Sequence, residues 1–121
     1  VTFAGNTPPN VAEITGNLWT SYSEIGGLPL EIGGSVQYVD DRYGDNANLV
    51  DLSSYTLVDL FATWSGANYN LTARIHNVTD EIYVPWSDVF YLQQNDPGFI
   101  YANQILLSAP RMFELSVEFA L

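Results

Sequence analysis

Apolar and polar residues alternate along five stretches of the chain, and this alternation predicts five β-strands. The stretches cover approximately residues 11–23, 30–43, 54–65, 69–76 and 112–121. A period of two places every second side chain on the same face of a strand. Val, Ile, Thr and aromatic residues are abundant in these stretches and favour strands over helices. Each predicted strand therefore has one apolar face and one polar face.

The connections between the predicted strands alternate between short turns and long loops. Residues 26–29 and 66–68 suit short turns, whereas residues 44–53 and 79–109 predict long loops. In an antiparallel meander, both short turns lie at one end of the strands and both long loops at the other, which is typical of outer-membrane β-barrels. The predicted fold class is all-β, an antiparallel up-and-down meander of about five strands at the end of a transmembrane β-barrel. Because such barrels need about eight strands or more, we expect the earlier strands to belong to a longer chain.

Composition excludes several other classes of protein. The chain has 14 Asp and Glu residues against 3 Lys and Arg residues, a net charge of −11, so it lacks the basic surface that nucleic-acid binding requires. It has no cysteine, which excludes disulfides, thiol nucleophiles and thiolate metal sites. No run approaches the roughly 18 consecutive apolar residues of a membrane-spanning helix.

The apolar faces of the predicted strands must meet either lipid or a second layer of protein. Aromatic residues cluster near the strand ends, as they do in the interfacial girdles of membrane barrels. The opposite faces carry Asp59, Arg74, His76, Glu114 and Glu118, which suits a water-filled lumen. The pattern therefore favours lipid. The row expected to face lipid consists of Ile32, Val36, Tyr38, Val58, Leu60, Trp64, Leu71, Ile75, Leu115 and Val117.

Two alternatives remain open from the pattern alone. A small soluble β domain would bury the same apolar row against a second sheet, and would bind carbohydrate or a protein partner through exposed aromatic residues. An outer-membrane barrel of another type would share the strand pattern.

The polar residues predict no catalytic, cofactor or metal site. The chain has one histidine, His76, and no nucleophile elbow. Glu114 and Glu118 would lie about 13 Å apart along one strand, which is too far for paired-carboxylate hydrolysis. We expect Asp59 and Arg74 to face the same side of adjacent strands and to form an ion pair in the wall.

A group of polar residues follows the fourth predicted strand. Asp80 and Glu81, close after Asn77, could suggest a cation site, but a turn whose Asn and Asp side chains cap backbone amides is the better explanation. We interpret His76 as a hydrogen-bonded wall residue, because no convergent carboxylates are evident from the sequence.

Several segments resemble the C-terminal part of TonB-dependent outer-membrane receptors. Residues 54–60 (SYTLVDL) and 71–83 (LTARIHNVTDEIY) are similar to the family's Y-x-L-x-D and N-L-T-D-x-x-Y patterns. Residues 109–111 (APR) stand where the family has Pro-Arg, and residues 18–22 and 33–43 resemble its preceding strands. The final strand resembles the C-terminal assembly strand of outer-membrane proteins, with Leu where Phe is usual at the end. Its alternating apolar residues are Phe113, Leu115, Val117, Phe119 and Leu121.

This resemblance implies a barrel of about 22 strands, plugged by an N-terminal domain, in the bacterial outer membrane. Residues 1–121 would supply the C-terminal part of that barrel, with the plug domain, the TonB box and the earlier strands outside this chain. The implied function is uptake of a scarce ligand, with a ferric siderophore favoured because it is the commonest ligand in the family. The implied partners are outer-membrane lipid, the TonB complex through the plug, and the barrel-assembly machinery through the C-terminal strand. The resemblance implies no cofactor.

The last predicted loop is the best candidate for ligand contact, because it is rich in aromatic residues. These side chains could bind a ligand by stacking and burial, pack against neighbouring loops, or anchor at the membrane interface. The candidate ligand-binding residues are Tyr83, Trp86, Phe90, Tyr91, Phe99 and Tyr101.

Overall fold

The structure, a computed structural model, describes residues 2–90 and 102–120 of the chain. Tyr91, Phe99, Tyr101 and Leu121, which the sequence analysis singled out, lie outside the described residues. The described residues form nine strands and one short 3-10 turn at Ile25–Gly27. The strands are β1 (Thr15–Tyr22), β2 (Leu30–Val39), β3 (Arg42–Tyr43), β4 (Asp51–Leu52), β5 (Tyr55–Ser65), β6 (Tyr69–His76), β7 (Trp86–Phe90), β8 (Ala102–Leu106) and β9 (Met112–Phe119).

Five of these strands form one sheet in the order β1-β2-β5-β6-β9. Each strand of this sheet lies beside the next strand along the chain that belongs to the same sheet. β6 pairs antiparallel with both β5 and β9. The all-β meander predicted from alternation is confirmed. β1 and β9 are the edge strands, so the sheet is open and does not close into a barrel by itself.

Two small hairpins lie in stretches where the sequence predicted a continuous strand or a loop. β3 pairs with β4, so the predicted second strand stops at Val39 and a new strand starts at Arg42. β7 pairs with β8 in the segment predicted as the last long loop. The prediction missed both hairpins because their strands are short, with two to five paired residues each. Such strands lack the long alternation of apolar and polar residues found in the five-stranded sheet.

The chain divides into two compact units. The first, here called the loop unit, comprises Val1–Thr15, Val39–Tyr55 and Ile82–Ser108, and contains both small hairpins. The second, the sheet unit, comprises Gly16–Tyr38, Thr56–Glu81 and Ala109–Leu121, and contains almost all of the five-stranded sheet.

The apolar face of the sheet is largely uncovered. Leu115 and Phe119 are each 70% exposed and Phe113 is 75% exposed. Among the described residues, the buried hydrophobic side chains are Val39 and Leu52 alone, both of which lie in the loop unit. A soluble β domain would have to bury the row of apolar residues predicted to face lipid, and the structure buries none of them. No helix in the described part of the chain is long and apolar enough to cross a membrane.

Two consecutive glycines in β2 allow neighbouring side chains to lie across that strand. A Cβ on Gly33 would come within 2.5 Å of the Phe61 ring, and a Cβ on Gly34 would come within 2.8 Å of Leu60 Cδ2. Phe61 therefore reaches over β2 and stacks on Trp19 of β1, with ring centroids 6.3 Å apart and an interplanar angle of 11°. The stack connects β1 to β5 across the strand between them.

The Gly33→Ala variant should be less stable, because its methyl group would overlap both the Phe61 ring and the backbone oxygen of Thr20. We expect a loss of about 1–3 kcal/mol in the free energy of unfolding of the intact protein in lipid vesicles, measured with urea. Gly16→Ala is the matched control, because nothing lies within 4 Å of a Cβ at that position. Equal stability of the two variants would contradict the assigned role of Gly33.

Candidate functional site

The candidate ligand-binding residue Tyr83 is packed within the loop unit. Its ring stacks on Tyr55, with centroids 4.3 Å apart, and the guanidinium of Arg42 lies 5.4 Å from the centroid of the Tyr55 ring. Arg42 is only 5% exposed and donates a hydrogen bond to the carbonyl oxygen of Val84. These contacts connect residues 42–55 with residues 83–84, and cation–π attraction contributes to holding them together.

Trp86 is the candidate that the structure presents most openly. It starts β7, is 45% exposed, and lies directly opposite Leu106, which is 57% exposed. Together they form an apolar cross-strand pair on the hairpin. Phe90 ends β7, paired in register with Ala102. Whether any of these residues contacts a ligand stays a prediction.

A side-chain amide extends the β7–β8 hairpin in the way that a third strand would. Asn10 Nδ2 donates to the carbonyl oxygen of Ser87 at 2.7 Å, and Ser87 N–H donates to Asn10 Oδ1 at 3.0 Å. The backbone N–H of Asn10 also donates to the carbonyl oxygen of Tyr43 at 2.6 Å. Ser87 is fully buried at this junction. The sequence analysis gave neither Asn10 nor Arg42 a structural role. Asn10 precedes the first alternating stretch, and Arg42, near the end of the second, gives no sign in the sequence of its distant partners.

One acidic side chain of the loop unit, that of Asp45, accepts hydrogen bonds from the backbone of its own loop. Asp45 is buried, and its Oδ1 accepts hydrogen bonds from the N–H groups of Leu49 and Val50 at 2.9 and 3.0 Å. Asn48 exchanges two hydrogen bonds with the backbone of Thr7, at 2.9 and 2.8 Å. These contacts are those of an Asx-type turn that fixes the loop backbone.

The polar face of the sheet carries a row of interacting polar and charged side chains across three strands. Arg74 and Glu114 form an ion pair at 3.0 Å, and His76 Nε2 lies 3.3 Å from the other oxygen of Glu114. His76 Nδ1 lies 3.6 Å from Asp59 Oδ2. All four side chains are between 35% and 48% exposed, so solvent screens these pairs.

This arrangement corrects two sequence interpretations. The predicted Asp59–Arg74 pair is wrong, because the register sets Arg74 opposite Phe61 on β5 and opposite Glu114 on β9. His76 was expected to lack convergent carboxylates, yet one faces each ring nitrogen. In both cases the register between neighbouring strands decides which side chains meet.

The turn after β6 matches its prediction. Asn77 is 6% exposed and has a left-handed backbone with φ of 53°. Its Oδ1 accepts from Glu81 N–H at 2.8 Å, while its Nδ2 donates to the carbonyl oxygens of Glu81 and Ala109 at 2.9 and 3.2 Å. Asp80 Oδ1 accepts from the N–H of Arg111 at 2.8 Å. The turn is confirmed as a capping arrangement, and it also fixes the chain just before β9.

Asn77→Ala should destabilise the sheet unit by about 3 kcal/mol, because it removes three side-chain hydrogen bonds at a buried site and strains a left-handed residue. Urea unfolding of the intact protein in lipid vesicles measures this change. Asn17→Ala, on the exposed strand β1, is the control and should change the free energy by less than about 0.5 kcal/mol. A similar small effect at Asn77 would show that the turn is dispensable.

Comparison with known proteins gives consistent matches. The family model described as "TonB dependent receptor-like, beta-barrel" matches residues 1–78. The ferrichrome outer membrane transporter/phage receptor of Escherichia coli (strain K12) is 34% identical over 92 residues, which cover 69% of this chain and 12% of that protein. The ferrioxamine receptor of Yersinia enterocolitica is 30% identical over 89 residues, covering 66% of this chain and 12% of that protein.

Solved structures match the whole sheet. The siderophore receptor PiuA from Acinetobacter baumannii superposes with a TM-score of 0.77 at 27% identity, over 97% of this chain and 15% of PiuA. BauA, the ferric preacinetobactin receptor of the same organism, gives a TM-score of 0.66 at 22% identity, over 95% of this chain and 16% of BauA, and shows a shared fold. The chain thus spans about an eighth of the length of the curated relatives that it matches.

Proposed function

Because the chain belongs to the family of TonB-dependent receptor β-barrels, we propose that the whole protein is an outer-membrane receptor that takes up a ferric siderophore with energy supplied through TonB. The observation that carries this proposal is the two-faced sheet. Its apolar face is exposed and could meet lipid, and its polar face bears the side chains of Asp59, His76, Glu114 and Arg74, which suit a watery interior.

The ligand class is inferred from the relatives. Two of them are named for ferrichrome and ferrioxamine, and the PiuA structure is that of a siderophore receptor. In the proposed mechanism, external loops capture the ferric chelate and a TonB-driven movement of the plug domain admits it. The plug and its contact with TonB would lie in parts of the polypeptide outside this chain. A transport receptor needs no catalytic residue, and the proposal assigns none to this segment.

This segment would contribute wall, external loops and an assembly strand. Phe113, Leu115, Val117 and Phe119 alternate along the apolar face of β9, as recognition by barrel-assembly machinery would require. Within the loop unit, we propose Trp86 as the ligand contact, because its ring is partly exposed whereas Tyr83 is stacked on Tyr55. Aromatic rings that are free on one side are favoured anchors in binding sites.

Uptake of radioactive iron tests the function. The intact receptor, expressed in iron-starved cells that lack other siderophore receptors, should accumulate iron supplied as ferrichrome or ferrioxamine only when TonB is present. A correctly assembled receptor that accumulates iron from no chelate would contradict the proposal.

A pair of loop variants tests the ligand contact. Trp86→Ala should weaken binding of the transported chelate by about tenfold while barrel assembly stays normal. Leu49→Ala removes an apolar side chain from the loop unit that is even more exposed than Trp86, and should leave the affinity unchanged. The dissociation constant, measured on whole cells by titration with the labelled chelate, distinguishes the two. Equal affinities for both variants would remove Trp86 from the site.

A further inference from the structure

A cavity of about 170 Å³ lies within the sheet unit, on the polar face of the five-stranded sheet. The register places Phe61 on β5 directly opposite Arg74 on β6. Asp59 lies two residues before Phe61 and so shares its face, and His76 lies two residues after Arg74. Trp19 belongs to the same face, because its ring stacks on that of Phe61. All five side chains therefore line the cavity from one side of the sheet.

The floor of this cavity is aromatic, although the face around it is polar. The Phe61 ring lies over Gly33 of β2, where a Cβ would come within 2.5 Å of it. The Trp19 ring lies beside it, nearly parallel at 11°, with the ring centroids 6.3 Å apart. At that separation the two rings are offset, and Trp19 is 64% exposed. An open indole surface on the polar side of the wall has no lipid to contact, so it is available to a ligand.

In the described part of the chain, Asp59 pairs with a histidine rather than with an arginine. Arg74 also lines the cavity, but its guanidinium pairs with Glu114 on β9, on the side of β6 away from β5. Asp59 Oδ1 accepts from the N–H of Asn77 at 2.8 Å, which fixes the carboxylate. Its Oδ2 lies 3.6 Å from His76 Nδ1, beyond hydrogen-bond distance, and can still accept from a ligand.

The charges favour a cation over an anion as that ligand. The chain carries a net charge of −11, which attracts cations at long range. Each of its three basic residues, all arginines, already donates to or pairs with an oxygen of the chain itself. These oxygens belong to the carbonyl of Val84 for Arg42, the carboxylate of Glu114 for Arg74 and the carbonyl of Val78 for Arg111.

One ammonium group can contact both the carboxylate and the aromatic floor. Asp59 and Phe61 lie two residues apart on the same face, a separation of about 7 Å along β5. An ammonium nitrogen about 3 Å from the carboxylate can therefore lie within about 6 Å of the ring centroid, which is the range of cation–π attraction. The cavity of about 170 Å³ is smaller than the roughly 300–1,000 Å³ of pockets that enclose a whole drug-sized ligand, so it suits one arm of a ligand.

We propose that this cavity binds the terminal ammonium group of a positively charged ferric chelate, with Asp59 as the anionic partner and the rings of Trp19 and Phe61 as the aromatic surface. The proposal deepens the proposed function and rests on it, because it takes the polar face of the sheet as the interior along which the chelate passes. Asp59 and His76 lie near the ends of β5 and β6 that adjoin the long connections. A chelate captured by external loops would reach these residues early, with its iron centre outside the cavity.

Two chelates that differ by one charge test this assignment. A linear ferric trihydroxamate with a terminal primary amine carries one positive charge, and acetylation of that amine removes the charge without changing the iron centre. Equilibrium binding of each chelate, labelled with radioactive iron, to the intact detergent-purified receptor gives the two dissociation constants. We expect the amine form to bind about tenfold more tightly. A receptor that binds both forms equally, or neither, would overturn the proposal.

Two variants and two matched controls locate the site. Asp59→Asn keeps an oxygen for the Asn77 N–H and should abolish the preference for the amine form, whereas Trp19→Leu should reduce it about threefold. Glu31→Gln removes a carboxylate from β2 outside the cavity, and Tyr22→Leu removes an exposed ring from the opposite face of β1. Both controls should keep the full preference. If Asp59→Asn and Trp19→Leu keep it as well, or weaken both chelates equally as a contact with the plug domain would, the assignment is wrong.

Iron uptake by the same receptor separates this proposal from the proposed function. Uptake of iron from a chelate through TonB, without a preference for the amine form, would contradict the ammonium site alone. A receptor that prefers the amine form in binding, yet accumulates iron from no chelate, would contradict the transport function alone.

Discussion

Hydrogen bonding between neighbouring strands is the interaction on which the rest of this structure depends. Within the sheet unit the apolar face is largely uncovered, and among the described residues the buried hydrophobic ones lie in the loop unit. In the proposed membrane setting, a strand that faces lipid cannot satisfy its backbone groups with water and must satisfy them through the strands beside it. The meander order, in which each strand pairs with neighbours close in sequence, is the simplest way to meet that requirement.

Where the ladder ends, side chains replace the missing backbone partners. The Asn77 side chain donates to two backbone carbonyls and accepts from one N–H at the turn after β6. The Asn10 side chain likewise donates to the carbonyl oxygen of Ser87 and accepts from its N–H at one edge of the β7–β8 hairpin. Asp45 caps two N–H groups in the loop between β3 and β4. The polar residues of this chain are therefore largely occupied with the geometry of turns, which leaves exposed aromatic residues such as Trp86 as the better candidates for recognition.

The sequence predicted the wall well and the loops poorly, for a physical reason. Alternation is imposed by the different surroundings of the two faces, so every strand of the main sheet carries it, and the family resemblance followed from the same strands. β7 (WSDVF) and β8 (ANQIL) form a two-stranded sheet of their own, and neither stretch alternates between apolar and polar residues. The predicted partner of Arg74 was wrong because alternation gives the face on which a residue lies but not the residue opposite it on the neighbouring strand. The register places Glu114, rather than Asp59, beside Arg74. The roles of Arg42 and Asn10 depend on contacts between distant stretches of chain, which one sequence does not reveal.

The glycine pair in β2 resolves an ambiguity that alternation leaves. A slip of one residue exchanges the two faces of a strand and is strongly disfavoured, but a slip of two preserves every face and would pass unnoticed by the hydrophobic pattern. Such a slip would bring Glu31 or Ser35 beneath the ring of Phe61, where even a single Cβ at Gly33 would come within 2.5 Å. The absence of a side chain at one position thus acts as an alignment mark, so that during barrel assembly β2 has one place beside β5 where the ring can close over it.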